Sequence, residues 1–347
     1  MRPVEIGLDG LLCLLLLVLA WKALRAPHLY QSAIYFIALG LVMALAWVRL
    51  AAPDVALAEA AIGTGLLGVL LIDSLRVFAR DSKTDPDAES EEPPPGEINV
   101  YPAGSARPSG RTLPMILVTA SCGLLAILLV EAIIELPDGG GLTAAAQENL
   151  ERSGVDHPVT AVLLNYRGYD TWLEVGVLLL AMLGIFCAGG RVGFAETRQS
   201  NPPGHLLSWL IRALAPLMIL AAAYLLWLGK LAPGGAFQSG VILGSAGILL
   251  RLAGFQVISR LPPLAVKLGL LLGFGVFLIF GGAALLTGRA FLEYPEARAG
   301  ELILLVETAA AVSIGFTIFA FFAYLNSRDQ PEAQENHARE EGGNQKP

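Results

Sequence analysis

The stretch Pro53-Asp54-Val55-Ala56-Leu57-Ala58-Glu59-Ala60-Ala61-Ile62-Gly63-Thr64-Gly65-Leu66-Leu67-Gly68-Val69-Leu70-Leu71 decides how the chain is read. Pro53 and Asp54 open a helix that then runs almost wholly apolar. One acid, Glu59, interrupts it a single turn inside. A lone carboxylate in a segment bound for lipid is costly unless it is paired, protonated or facing water. Below it, Gly63, Gly65 and Gly68 strip side chains from the helix, which permits close packing or a local π-type irregularity. An acid above deformable backbone reads as an ion-handling element.

The remainder of the chain agrees with a membrane setting. Of 347 residues, 55% are hydrophobic and only 15% charged, with a mean hydropathy of +0.62. A soluble domain carries about 25% charged residues. The net charge of −7 leaves no basic stripe for nucleic acid. Cys13, Cys122 and Cys187 are far apart inside apolar runs, so neither a metal site nor a disulfide framework is expected. Glu5 and Asp9 stand where a signal peptide has positive charge, and the N-terminus reads as a retained first helix.

A spanning helix needs roughly 20 mostly apolar residues. The expectation is an all-α polytopic membrane protein with about nine spans, at 4–24, 31–50, 55–78, 114–136, 170–190, 208–229, 237–258, 264–287 and 301–325. Polar breaks group them as three, two and four helices. The corresponding units are 1–80, 114–195 and 196–326, with an acidic, Pro/Gly/Ser-rich linker at 81–113 and a polar tail at 327–347. Such a linker cannot bury apolar surface and should stay disordered. With the N-terminus outside, 16 of the 23 Lys and Arg residues fall on the cytoplasmic side, so an N-out, C-in orientation follows.

That topology places Glu59, Glu174 and Glu307 roughly 6–9 Å below the outer surface at the rise of an α-helix. Glu131 and Glu135 leave on the same side, one turn apart on one face. Five carboxylates from four helices thus share a level. Gathered around a wet cavity they would hold protons or cations. Pro53 and the glycines Gly63, Gly65 and Gly68 supply helix flexibility or packing. His157 is of a type that can relay protons near neutral pH, but its place in a loop reads first as a solvated histidine. The Gly-rich run Pro233-Gly234-Gly235-Ala236-Phe237-Gln238-Ser239-Gly240, followed by Gly244 and Gly247, lacks the lysine of a phosphate cradle. It reads as a tight turn leading into a small-residue packing face.

Three segments resemble known families. PDVALAEAAIGTGL (53–66) resembles the signature of the C-terminal part of the large MrpA subunit, also found as the MbhD subunit of membrane-bound hydrogenases. HPVTAVLLNYRGYDTWLEVGVLLLAMLGIF (157–186) resembles the adjoining MbhE-type domain. LIRALAPLMILAAAYLLWLGKLAPGGAFQSGVILGSAGILLRLAG (210–254) resembles the MrpB, or MnhB, domain. The resemblance implies a subunit of an Mrp-type multisubunit monovalent cation (Na⁺)/proton antiporter in a bacterial plasma membrane, with other Mrp-type subunits and the lipid bilayer as partners. It implies ion-path roles for Glu59 and Glu174. The chain departs from the family pattern at Asn165, where Asp is common, at Gln238 and Ser239, and at Val306–Gly315, where Glu307 replaces an Asp.

Lys22, Lys230 and Lys267 all lie near helix ends, so no midplane relay lysine is present and the chain is not a complete pump alone. It is read as a non-enzyme without cofactors, exchanging Na⁺ and H⁺. Two other readings stay open: a membrane-arm subunit of a hydrogenase or complex I-like redox-driven pump, and a structural membrane scaffold.

Overall fold

The computed structural model describes residues 3–68, 71, 75, 112–135, 141–187, 204–255 and 261–327. Of the linker expected at 81–113 and the tail at 327–347, residues 81–111 and 328–347 lie outside the described residues, while Thr112, Leu113 and Ser327 belong to helices. Those described form helices and connecting turns. Among them, nine principal helices run in chain order: α1 (Pro3–Arg25), α2 (Leu29–Arg49), α3 (Pro53–Ala58), α4 (Thr112–Ile134), α5 (Gly168–Cys187), α6 (His205–Leu228), α7 (Ala236–Leu252), α8 (Pro263–Leu286) and α9 (Ala299–Ser327). Seven helices among the described residues are long and apolar enough to cross a membrane. The shorter α7 has 17 residues, and α3 continues as a π-helix over Glu59–Leu66.

Helices α1 and α2 form a hairpin. Arg49 on α2 bonds Asp9 on α1, with Nε 2.7 Å from Oδ1, and lies 3.8 Å from Glu5. One guanidinium therefore faces the two acids that open α1. The turn from α2 to α3 is tight, with Ala51 at a positive φ of 56°.

The centre of the molecule is α9, which α5, α6, α7 and α8 surround. Small residues bring the backbones together. A Cβ on Gly240 of α7 would lie 2.7 Å from Ile314 Cβ and 2.8 Å from the Ala311 carbonyl of α9. One turn on, Gly244 meets Ile318 in the same way. On the opposite side, Gly273 of α8 admits Ala310 and Ser313 of α9 together with Val175 of α5. Since lipid is as apolar as leucine, this close contact, and not exclusion from water, holds the helices together. The π-helical segment leans on the same bundle through Ala61 and Ile62, which pack against a core containing Val241, Ile248 and Ile314.

The long connection before α5 differs from its reading as a polar break. It contains helices at Thr143–Glu148, Leu150–Ser153 and Pro158–Thr160, then a second π-helix at Ala161–Tyr166. Val155, Ala161 and Leu164 are buried with Ile303, Val306 and Phe277. The connection is thus a packed cover over one end of α8 and α9. Its apolar residues are too few and too irregularly spaced to show helical periodicity. By contrast, α4 has every described side chain exposed.

Candidate functional site at the Gly229–Gly235 turn

The site is built on the turn between α6 and α7. The Leu225 carbonyl accepts from Gly229 N–H at 3.1 Å and from Gly235 N–H at 3.0 Å, which folds the chain back on the end of α6. Two positions demand glycine. Gly235 has φ +110°, a region closed to most side chains, and a Cβ on Gly234 would lie 2.5 Å from the Leu225 carbonyl. The N–H groups of Gly234 and Ala236, at the start of α7, need acceptors from elsewhere, as the first N–H groups of any helix do. Two carboxylates supply them. Gly234 N–H donates to Asp54 Oδ1 at 3.2 Å, and Ala236 N–H donates to the Glu307 carboxylate of α9.

Asp54 in turn holds the cover formed by the connection before α5. Its Oδ2 is 2.9 Å from His157 Nε2, and the two side chains are only 16% and 13% exposed. Both Asp156 N–H and His157 N–H donate to the Lys230 carbonyl, at 2.9 and 3.0 Å. Thr160 hydroxyl donates to the Gly229 carbonyl, and Gln238 amide to the Asp54 carbonyl at 3.4 Å. His157 is therefore not a solvated loop residue. It is half of a clasp that joins the N-terminal unit, the cover and the α6–α7 turn.

Glu307 lies beneath this clasp and is 3% exposed. Its Oε1 would be 3.0 Å from a Cβ on Gly235, so the carboxylate rests directly on the glycine backbone. Its Oε2 takes no hydrogen bond. Lys230 acts on it electrostatically, and it acts in turn on Tyr294. Tyr294, on the α8–α9 connection, is 6% exposed and stacks on Phe280 with ring centroids 4.5 Å apart. Burial pushes its phenol above the usual range and the Glu307 carboxylate adds to the effect, so the hydroxyl stays protonated. The Tyr294 hydroxyl and the Ser239 hydroxyl are also buried without hydrogen-bond partners. A buried carboxylate with one oxygen unbonded can take a proton or a monovalent cation.

The other sequence candidates sit in different surroundings. Glu59 opens the π-helix, half-buried, with its carboxyl folded over Gly63, where a Cβ would come within 2.5 Å of Oε1. Pro53 takes the first position of α3, Gly65 lies in the π-helix, and Gly68 faces Ile37 of α2. Glu174 is exposed on α5, one turn after Asp170, which acts on it electrostatically and pairs with Arg167. Glu131 and Glu135 are exposed at the end of α4. Tyr294 carries no signal in the sequence, and the sequence does not show that Asp54, His157 and Gly235 meet. The glycine pair after Pro233 was the available signal, since such a turn needs acceptors for its N–H groups.

Comparison with known proteins agrees with this architecture. Residues 14–80 match the MbhD family of MBH subunits. Residues 206–325 match the domain related to the MnhB subunit of Na⁺/H⁺ antiporter. No curated protein matches the chain. Among solved structures, the Mrp complex from Dietzia sp. DQ12-45-1b aligns at a TM-score of 0.67 and 22% identity, over 91% of this chain and 34% of that one. The chain thus spans about a third of the length of that relative. The archaeal membrane-bound sulfane sulfur reductase aligns at a TM-score of 0.49 and 23% identity, over 61% of this chain and 98% of that one. The chain is a multi-pass membrane protein that carries an MbhD domain over residues 14–80 ahead of an MnhB-related domain over residues 206–325.

Proposed function

We propose that this chain is one subunit of a multisubunit Na⁺/proton antiporter of the bacterial plasma membrane, oriented N-out and C-in, and that Glu307, Glu59 and Glu174 lie on its ion path. The observation that carries the reading is the Glu307 carboxylate. It is 3% exposed within a spanning helix, anchored by Ala236 N–H, with its second oxygen free of hydrogen bonds. A buried carboxylate must be neutralised, and a proton or a monovalent cation can each do so. Because both neutralise the same group, each displaces the other, which is the elementary requirement of exchange.

Glu59 supports the reading from the other domain. Its π-helical turn is a wide, irregular one of the kind found at functional sites. Glu131 and Glu135 enter the path where partner subunits cover α4. The chemistry is ion binding and release, so the subunit is not an enzyme. Other Mrp-type subunits complete the route and couple the two flows. The match of residues 14–80 to the MbhD family favours one second reading, a membrane-arm subunit of a redox-driven complex. Hydrogenase subunits encoded beside this gene would support that alternative.

The test is Na⁺-dependent ΔpH in inverted vesicles carrying the whole complex, with Glu307→Gln, Glu59→Gln and Glu174→Gln beside wild type. Loss of exchange with normal assembly is the expected result. Normal exchange in all three variants would reduce the chain to a scaffold.

A further inference from the structure

The cover and the α8–α9 connection enclose an open cavity of about 960 Å³. At roughly 30 Å³ per water molecule, it is far larger than an incidental packing defect. Its walls include Asn149, Arg152, Asn165, Arg167, Arg289 and Tyr294. The three arginines are each paired: Arg152 with Glu296 at 2.6 Å, Arg167 with Asp170 at 2.5 Å and Arg289 with Glu293 at 3.9 Å. A rim of balanced ion pairs is well hydrated and repels neither cations nor anions strongly. It is suited to water and small ions and poorly suited to a bound anion.

Tyr294 belongs to both places. It lines the cavity, and it is buried in the same cluster as Val306, the neighbour of Glu307, and Ala236, whose N–H the Glu307 carboxylate accepts. Its hydroxyl is buried without a hydrogen-bond partner, as is Glu307 Oε2. Two orphaned polar atoms, one on a residue of the buried cluster and one on the neighbour of its Val306, beside a cavity roomy enough for water, outline a route with one narrow step. We propose that this cavity is the aqueous entrance to Glu307 and that Tyr294 is the positioning residue at its floor, its hydroxyl carrying the ion from cavity water to the carboxylate. The hydroxyl acts without ionising. It donates one hydrogen bond and accepts another, so it serves a passing proton by exchange and a dehydrating cation as a neutral oxygen ligand. The stack on Phe280 fixes the ring and therefore the direction of the hydroxyl. This inference rests on the reading of Glu307 as an ion-path residue.

Two variants test it in the whole complex. In a chain with Cys13, Cys122 and Cys187 replaced by Ser, Ala145→Cys puts a thiol in the cavity wall. Ala144→Cys, exposed on the same short helix and not in the wall, is its control. The detergent-solubilised complex is treated with the cationic thiol reagent MTSET, then reconstituted, and Na⁺-dependent ΔpH is read. The expected result is loss of exchange in labelled Ala145→Cys and none in labelled Ala144→Cys. Separately, Tyr294→Phe keeps the ring stack and removes the hydroxyl. It should assemble normally, lower exchange several-fold and displace its pH profile. An Ala145→Cys complex that resists labelling, or exchanges at the unlabelled rate once labelled, overturns the entrance. A Tyr294→Phe complex with the wild-type rate and pH profile overturns the role of the hydroxyl. If Glu307→Gln alone abolishes exchange while these variants behave as wild type, only the entrance is lost; if Glu307→Gln exchanges normally, the reading of Glu307 itself fails.

Discussion

Helices α4 and α9 are close in mean hydropathy, 2.4 against 2.1, yet none of α4 is buried and 67% of α9 is. Apolar character does not separate them. What differs is the size of the side chains and of those they meet. Along α9, Ala309, Ala310, Ala311, Ser313 and Gly315 present a nearly bare backbone, and α7 answers with Gly240 and Gly244. Along α4, Leu124, Leu125, Ile127, Leu128, Leu129 and Val130 are all exposed. In lipid, association depends on how closely two backbones approach. A helix bristling with leucine is soluble in the bilayer, and a helix of alanine and glycine packs against its own kind.

The contrast breaks first at its glycines. Gly240→Val forces a Cβ against the Ala311 carbonyl, 2.8 Å away. Backbone cannot yield as a side chain can, so the cost should reach or exceed about 1–3 kcal/mol and the assembled complex should be lost on a native gel. Gly123→Val on α4 meets nothing within 4 Å and should change stability by no more than about 0.5 kcal/mol. Equal losses in the two variants would show that α4 is also packed, against a partner.

The carboxylates sharpen the comparison. Glu307→Gln should abolish Na⁺-dependent ΔpH while the complex assembles, because the amide keeps its shape and loses the charge that a cation or proton neutralises. Glu131→Gln, on the exposed α4, should lower exchange less. A larger effect at Glu131 would move the centre of the ion path to the surface that α4 shares with other subunits.

Smaller effects are expected at the clasp. His157→Ala removes a partner that is only 13% exposed and should cost about 1–3 kcal/mol by leaving Asp54 short of a hydrogen bond. Thermal unfolding of the solubilised chain reads this, and a double-mutant cycle with Asp54→Asn isolates the pair. Coupling indistinguishable from zero would mean that the N-terminal unit is held by its apolar contacts alone. The smallest effect belongs to Arg152→Ala. Its ion pair with Glu296 is 70% and 63% exposed, and such pairs contribute about 0–1 kcal/mol.

Much of the helical layout was legible in the chain, because a span is a local property. Its length and apolar character are set by consecutive residues, and each of the nine expected stretches holds a helix among its described residues. The acids inside those stretches could be read for the same reason: Glu59 and Glu307 are conspicuous against apolar neighbours. The cover could not be read. Val155, Ala161 and Leu164 are buried, but they lie in short turns where no periodicity develops. His157 in particular looked like an ordinary loop residue, since nothing near it in sequence is its partner.

Sequence by itself determined that this chain lives in a membrane, which segments are built to cross it, and which carboxylates the bilayer would find costly. Only the tertiary structure decided what surrounds those acids. Asp54 meets His157 across 103 residues and Gly234 across 180, and Glu307 on α9 caps the start of α7. The reason is physical. Helix formation is governed by neighbours along the chain, whereas a carboxylate's partners are whichever groups the packing of distant helices brings within reach.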